Sequence, residues 1–265
     1  MLEARLAEGS VFKKVMDAIK DLINEVNFDC NETGISLQSM DTAHVALVVL
    51  LIKAESFDPY RCDRSMSLGL SLGSLSKILK CAGPKDTLTL KSADQNDTLQ
   101  LVFEGGADGE RTSEFDLKLM DIDGEHLGIP ESDYDVCVTM SSAEYSRICR
   151  DLSVLGDSVT IECNKNQVKF MGGGDIGTGS ITIKHGAVVD ADKDGNGPET
   201  SIQVNTPVYA TFALKYLANF AKAGSLCDTV ILSISNTLPL VVEYKVNDLG
   251  YIRYYLAPRV EDDDE

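Results

Sequence analysis

The sequence is poor in several features that would point to chemistry. It holds only three histidines, His44, His126 and His185. None belongs to a nucleophile–histidine–carboxylate grouping, so a triad enzyme has no support here. The seven cysteines, Cys30, Cys62, Cys81, Cys137, Cys149, Cys163 and Cys227, include no pair at C-x-x-C spacing. That argues against a zinc site. An odd, scattered set reads as free thiols in a reducing compartment. Long apolar runs are also missing. The longest, VALVVLLI from Val45 to Ile52, is far too short to cross a bilayer and reads as a strand buried on both faces. The opening MLEARLAEGS has no apolar core of the secretory type, so no secretory signal is expected. Positive charge is scarce: 24 Lys and Arg stand against 42 Asp and Glu, a net charge of -18. By its total charge, the chain is a poor candidate for binding nucleic acid.

What is present is a repeated order of elements. The 265 residues, 43% of them hydrophobic, suffice for one large domain or two ordinary ones. Four times, an alternating segment leads into an amphipathic helix and then into alternating strands split by a polar turn. The helices are expected over about 10–23, 73–82, 142–155 and 208–222. The alternating segments before them are LEARLA, MSLGLSL, YDVCVTM and SIQVNT, and the later turns are NETG, ADQND, NKNQ and NTLP. Four units imply two similar domains of two units each, an α+β class. The boundaries expected are 1–118 for the first domain, 119–135 for a surface connector, 136–258 for the second domain and 259–265 for an acidic tail. The connector is acidic, has no sustained period, and holds Gly124, Gly128 and Pro130.

The scarce cations are not placed at random. In SKILKCAG, Lys77 and Lys80 lie opposite a stripe of Leu75, Ile78, Leu79 and Ala82. In the third helix Arg147 and Arg150 lie opposite Tyr145, Ile148, Cys149 and Leu152. In the fourth, Lys215 and Lys222 face away from Phe212, Tyr216, Leu217 and Phe220. The first is less clean, with Lys13, Lys14 and Lys20 sharing a polar side with Asp17 and Asp21. Helix surfaces are often charged, and lysine is a good helix former. Three such faces in so acidic a chain point instead to a basic surface for phosphate. No aromatic side chains interleave with these cations, which argues against base stacking.

Two letter patterns fail on context. DADKDGNGPETS aligns Asp190, Asp192, Asp194 and Gly195 with a calcium loop, but Ser201 stands where a bidentate glutamate is needed. GGGDIG, residues 172–177, leads into another strand pattern. A dinucleotide site needs a helix there. Neither a cofactor nor a metal is expected.

The stretches IKDLINEV, LQSMD with HVAL, YRCDR, SKILKCAG, LGIPE, ICRDLS, PLVVEYK and YYLAP together resemble the eukaryotic DNA sliding clamps, the proliferating cell nuclear antigen family. The resemblance covers nearly the whole chain. It implies a DNA-clamp fold with helices lining a ring and sheets outside, and a homotrimer encircling duplex DNA without regard to sequence. It implies no enzyme, but a processivity factor for the replicative DNA polymerase and a docking platform in replication and repair. Partners would include DNA polymerase, clamp loader, flap endonuclease and DNA ligase, bound through short motifs, and the location would be the nucleus. The nine cations named above would face DNA. A partner-peptide pocket would be built from Met40, His44, Val45, Leu47, Leu127, Ile129, Pro239, Tyr255, Ala257 and Pro258. Lys165 matches the family's modification lysine. A subunit of a heterotrimeric checkpoint-type clamp is the alternative; the pocket residues and the YYLAP end favour the homotrimer. Three departures stand out: FEGGADGERTSEFD is one residue longer than the family pattern, Phe115 stands where tyrosine is usual, and the loop HGAVVDADKDGNGPETS is longer and more acidic.

Overall fold

The computed structural model describes residues 1–93, 97–105, 110–124, 127–129, 132–190, 197–246 and 248–259. Parts of the ADQND turn, of the connector (with His126 and Pro130) and of the acidic loop (with Asp192, Asp194 and Gly195) lie outside the described residues, as does most of the acidic tail. The chain divides into two compact units. One takes Met1–Thr42, Val48–Gly128 and Val246–Ile252; the other takes Ala43–Leu47, Ile129–Lys245 and the chain from Arg253 on.

Four repeats are present, each a strand, a helix and three strands. The first is β1 (Leu2–Leu6), α1 (Gly9–Ile19), β2 (Glu25–Asn31), β3 (Gly34–Met40) and β4 (Ala46–Lys53). After a short β5 (Tyr60–Cys62), the second is β6 (Met66–Ser71), α2 (Leu72–Leu79), β7 (Thr87–Ser92), β8 (Thr98–Gly105) and β9 (Arg111–Lys118). The third is β10 (Val136–Ser141), α3 (Ser142–Leu152), β11 (Ser158–Asn164), β12 (Gln167–Gly174) and β13 (Gly177–Lys184). After β14 (Ser201–Val204), the fourth is β15 (Val208–Ala213), α4 (Leu214–Phe220), β16 (Thr229–Ile234), β17 (Leu240–Val246) and β18 (Gly250–Leu256).

The repeats interlock in pairs. In the first unit β1 leaves its own repeat and pairs with β7, in the order β5-β1-β7-β8-β9, while β6 pairs with β2, in the order β6-β2-β3-β4. In the second, β10 pairs with β16, in the order β14-β10-β16-β17-β18, and β15 pairs with β11, in the order β15-β11-β12-β13. All these pairings are antiparallel where their register is resolved. Several strands bury one face in alternation; on β1, Leu2, Ala4 and Leu6 point inward. Val45–Ile52 is less deeply covered than a doubly buried strand: Val49 and Leu51 are half-buried.

Each helix is tied to the repeat it interlocks with. A helix leaves its first N–H groups without intrahelical partners. Here Gly9 N–H donates to Asp86 O (2.9 Å) and Leu72 N–H to Asn24 O (2.9 Å). Ser142 N–H donates to Asp228 O (2.8 Å) and Leu214 N–H to Asp157 O (2.9 Å). All four acceptors stand just before a strand of the sister repeat. Side-chain caps add to this in two cases: Ser71 Oγ accepts from Ser74 N–H (3.3 Å) and Ser141 Oγ from Glu144 N–H (3.2 Å).

The fourth helix is shorter than its sequence pattern suggested. Residues 208–213 form β15, with Val208, Ala210 and Phe212 buried and Tyr209 exposed. That is a period of two, and Tyr, Val, Phe and Thr favour a strand. The helix proper is seven residues long and continues as a 3₁₀ turn, Ala221–Ser225. The correction makes the fourth repeat match the other three, with β15 and not SIQVNT as its leading strand.

All seven cysteines are free. Burial pushes the Cys30 and Cys149 thiols up to about 12, which leaves them inert near neutral pH. No helix among the described residues is long and apolar enough to cross a membrane.

The inward stripe of α2 consists of Leu72, Leu75 and Leu79, each at most 1% exposed. Leu75→Ala is expected to lower unfolding stability by about 2–5 kcal/mol through the lost transfer energy and the cavity left behind. Denaturant unfolding checks this; a loss of under about 1 kcal/mol would mean that this helix is not anchored by its apolar face.

Candidate nucleic-acid interface

The interlock turns one face of each helix inward and leaves the other outside. On α2, Lys77 and Lys80 are exposed. Among the described residues neither pairs with a carboxylate. On α1, Lys14 is exposed and Lys13 half-buried. Lys20 is held by Asp17 one turn back (2.5 Å), and its Nζ lies 3.5 Å from Ser76 Oγ of α2. On α4, Lys215 is exposed, with Nζ 4.8 Å from the centre of the Tyr216 ring, a cation–π distance. Lys222 is exposed in the 3₁₀ turn that follows.

The two arginines of α3 differ. Arg150 is exposed, with Asp151 beside it at 3.0 Å. A surface pair of this kind contributes little and leaves the arginine available. Arg147 is half-buried and meets two carboxylates, Glu144 at 3.0 Å and Asp190 at 2.5 Å. Burial raises the Glu144 carboxyl, and Arg147 opposes that shift. The face pattern in the sequence ranks the two arginines alike because Asp190 is 43 residues from Arg147 in the chain.

The residues of the expected partner pocket are located as follows. In the first unit, Met40 ends β3 and is half-buried. The connector crosses successive strands there: Met120 N–H donates to Gly69 O on β6 (2.9 Å), Asn27 Nδ2 on β2 donates to Ile122 O (3.0 Å), and Gln38 Nε2 on β3 donates to Leu127 O (2.9 Å). Leu127 remains 41% exposed. In the second unit, Ile129 is 38% exposed, and His44 is exposed with a left-handed backbone, φ 56°. Ala257 N–H donates to Val45 O (3.3 Å), and Tyr134 Oη donates to Pro239 O (3.1 Å). Pro239 and Ala257 are exposed, while Val45, Tyr255 and Pro258 are half-buried. Leu47 is buried, at 8%, so it belongs more to the core than to an open wall. Lys165 is exposed in the turn between β11 and β12, where Asn164 Oδ1 accepts from Asn166 N–H (2.9 Å) and Gln167 N–H (3.2 Å).

The rejected motifs have other roles. GGGDIG is the end of β12, a tight turn and the start of β13. Asp190, the first position of the calcium-like pattern, is held by Ser141 and Arg147.

The geometry is a repeated scaffold with cations outside its helices, and it can be set beside known proteins. Residues 1–126 match the family model described as proliferating cell nuclear antigen, N-terminal domain, and residues 128–259 match its C-terminal domain. The chain belongs to the proliferating cell nuclear antigen family. A protein named proliferating cell nuclear antigen from Chaetomium thermophilum is 52% identical over 264 residues, spanning 100% of both chains. The family is one of DNA sliding clamps, scaffolds of DNA replication and repair that are not enzymes.

Proposed function

We propose that three copies of this clamp close head to tail into a ring around duplex DNA. The ring holds the replicative polymerase on its template and docks the clamp loader, flap endonuclease and DNA ligase through short motifs, in the nucleus. We take 1–118 and 136–258 as the two clamp domains, 119–135 as the connector and 259–265 as an acidic tail. Lys13, Lys14, Lys20, Lys77, Lys80, Arg150, Lys215 and Lys222 are the DNA-facing set, with Arg147 as a special case. The observation that carries this reading is the placement of Lys77 and Lys80: exposed, opposite the core and without a carboxylate partner among the described residues, in a chain of net charge -18. Phosphate contacts of this kind carry no base information. Closure replaces tight binding, so contacts that break easily suit sliding.

The unpaired edges support the ring. β9 ends one sheet of the first unit, and β13 ends one sheet of the second. Each exposes most of its residues, and each buries one, Leu117 and Ile183. Bare edges are hazards unless paired. Pairing of unlike edges closes a ring when the rotation allows it.

Loading and retention on circular DNA across a salt series test the DNA reading. Replacing Lys77, Lys80 and Arg150 by alanine is expected to weaken retention at low salt and to flatten the salt slope, by up to about 0.9 for each phosphate that is no longer neutralised. The thermal melt should stay close to wild type. A normal melt with the wild-type slope would remove these cations from the interface.

The edge reading has its own test. The β12–β13 hairpin closes on the pair Gly174–Gly177 across two residues, so that pair must exchange hydrogen bonds. Counting along the ladder, Ile181 and Ile183 give their N–H groups to β12, while Thr178, Ser180 and Thr182 point theirs outward. Ser180→Pro therefore removes an outward donor and leaves the inner ladder intact. It is expected to yield monomers in sedimentation at micromolar concentration; persistent trimers would exclude β13 from the interface.

On the family resemblance we also assign Leu127, Ile129, Met40, His44, Val45, Leu47, Pro239, Tyr255, Ala257 and Pro258 to the partner-peptide surface, and Lys165 as a modification candidate. Burying an aliphatic side chain contributes about 1.5–3 kcal/mol. Leu127→Ala with Ile129→Ala is thus expected to weaken a partner peptide at least tenfold in calorimetry without disturbing assembly. Unchanged affinity would place the surface elsewhere.

A further inference from the structure

The loop between β13 and β14 is anchored at its base. Gly186 N–H donates to Thr200 O and Thr200 N–H to Ala187 O, both at 2.8 Å. Val188 bridges Glu199, and His185 Nδ1 accepts from Ile202 N–H (3.0 Å). Gly186 supplies the left-handed turn this base needs, at φ 80°.

This base delivers Asp190 to the start of α3. Its carboxylate accepts from Ser141 Oγ and from Arg147 Nη2, the latter at 2.5 Å. The Ser141 hydroxyl, first, and then Arg147 hold the Asp190 carboxyl below the usual carboxylate range. Asp190 is therefore fully ionised at neutral pH. Glu144 takes the other side of the same guanidinium. On the faces of α2 and α3, Arg147 is the cation gripped by two carboxylates; Lys77 and Lys80 have none among the described residues, and Arg150 has an exposed neighbour.

A carboxylate in this place offers what a nucleic-acid phosphate would offer: anionic oxygens received by a hydroxyl at a helix start and by a guanidinium. We propose that Asp190 is an internal phosphate mimic that withholds Arg147 from DNA, so that the acidic loop weakens the hold of α3 on the duplex. The proposal rests on the reading of the helix faces as DNA-facing. A tethered carboxylate at contact distance has a large effective concentration, whereas each phosphate passes only briefly. The competition favours the loop. For a clamp that slides, this trims the firmest contact available on α3 and leaves Arg150 as the mobile one.

The test measures the salt slope of retention on circular DNA for wild type, D190N, R147A, R150A and the double variant D190N/R147A. D190N is expected to hold DNA more firmly at low salt and to steepen the slope by about one, the value for one added phosphate contact. R147A is expected to keep the wild-type slope, R150A to lose about one, and the double variant to return to wild type. That return separates release of Arg147 from the mere loss of a negative charge, which would persist without the arginine. A D190N slope equal to wild type, beside a flattened R150A, overturns the proposal while the DNA reading stands. If D190N melts early, R147A decides, since a slope loss equal to that of R150A overturns the proposal just as well. If R150A and the Lys77/Lys80/Arg150 triple variant all keep the wild-type slope, the helix faces do not meet DNA and both readings fall.

Discussion

The structure depends on a hydrogen bond made four times. The first amide of each helix reaches the carbonyl that stands just before a strand of the sister repeat. An unmet helix-start amide that is buried would cost free energy. Meeting it across the repeat boundary fixes where the helix lies relative to both sheets of its unit. The exchange of β1 and β6, and of β10 and β15, acts in the same direction. Each helix is thus placed by contacts from both repeats of its unit. The inward stripe is then set by packing, and the outward face follows at 3.6 residues per turn.

That geometry explains how an acidic chain can hold basic surfaces. The total charge describes the molecule at long range, while contact is decided within a Debye length of about 8 Å at physiological salt. Lys77 and Lys80 lie on a short helix whose other polar positions are serines and a glycine. No carboxylate was placed within one turn of them. On α1 and α3 the carboxylates are within a turn, and there Lys20 and Arg147 are bound. What holds or frees a cation is the carboxylate that reaches it, near in the chain for Lys20 and both near and far for Arg147, and not the net charge.

Much of the fold is legible in the sequence, and the misses have physical causes. Periodicity locates four helices and the two-by-two grouping, because each helix has one apolar stripe and each strand alternates. The error at residues 208–213 arises because VYATFALKYLANF is apolar at both periods. Tyr209, 62% exposed, breaks the helical reading only once its solvent exposure is known. The face rule puts Lys77, Lys80, Arg150 and Lys215 opposite the core, where all four are exposed, because side chains three and four apart share a side. It cannot weigh Arg147, whose partner arrives from a distant loop. Leu47 illustrates the same limit, since an apolar residue in a strand reads alike whether it lines an open surface or the core.

The two bare edges differ in a way that bears on assembly. Besides its single buried leucine, β9 carries Arg111, Glu114, Asp116 and Lys118. β13 is charged only at Lys184 and begins with two glycines separated by one threonine, at Gly177 and Gly179. Two copies of β13 would bring the weakening glycines of both strands into one ladder. The unlike pair sets the charged strand β9 against β13, which has little charge to oppose it. Because the edges differ, the contact in the proposed ring has a direction. A directed contact either closes after a fixed number of copies or grows without end. Closure would pair β9 with β13 in every copy, covering the two edges that expose most of their residues.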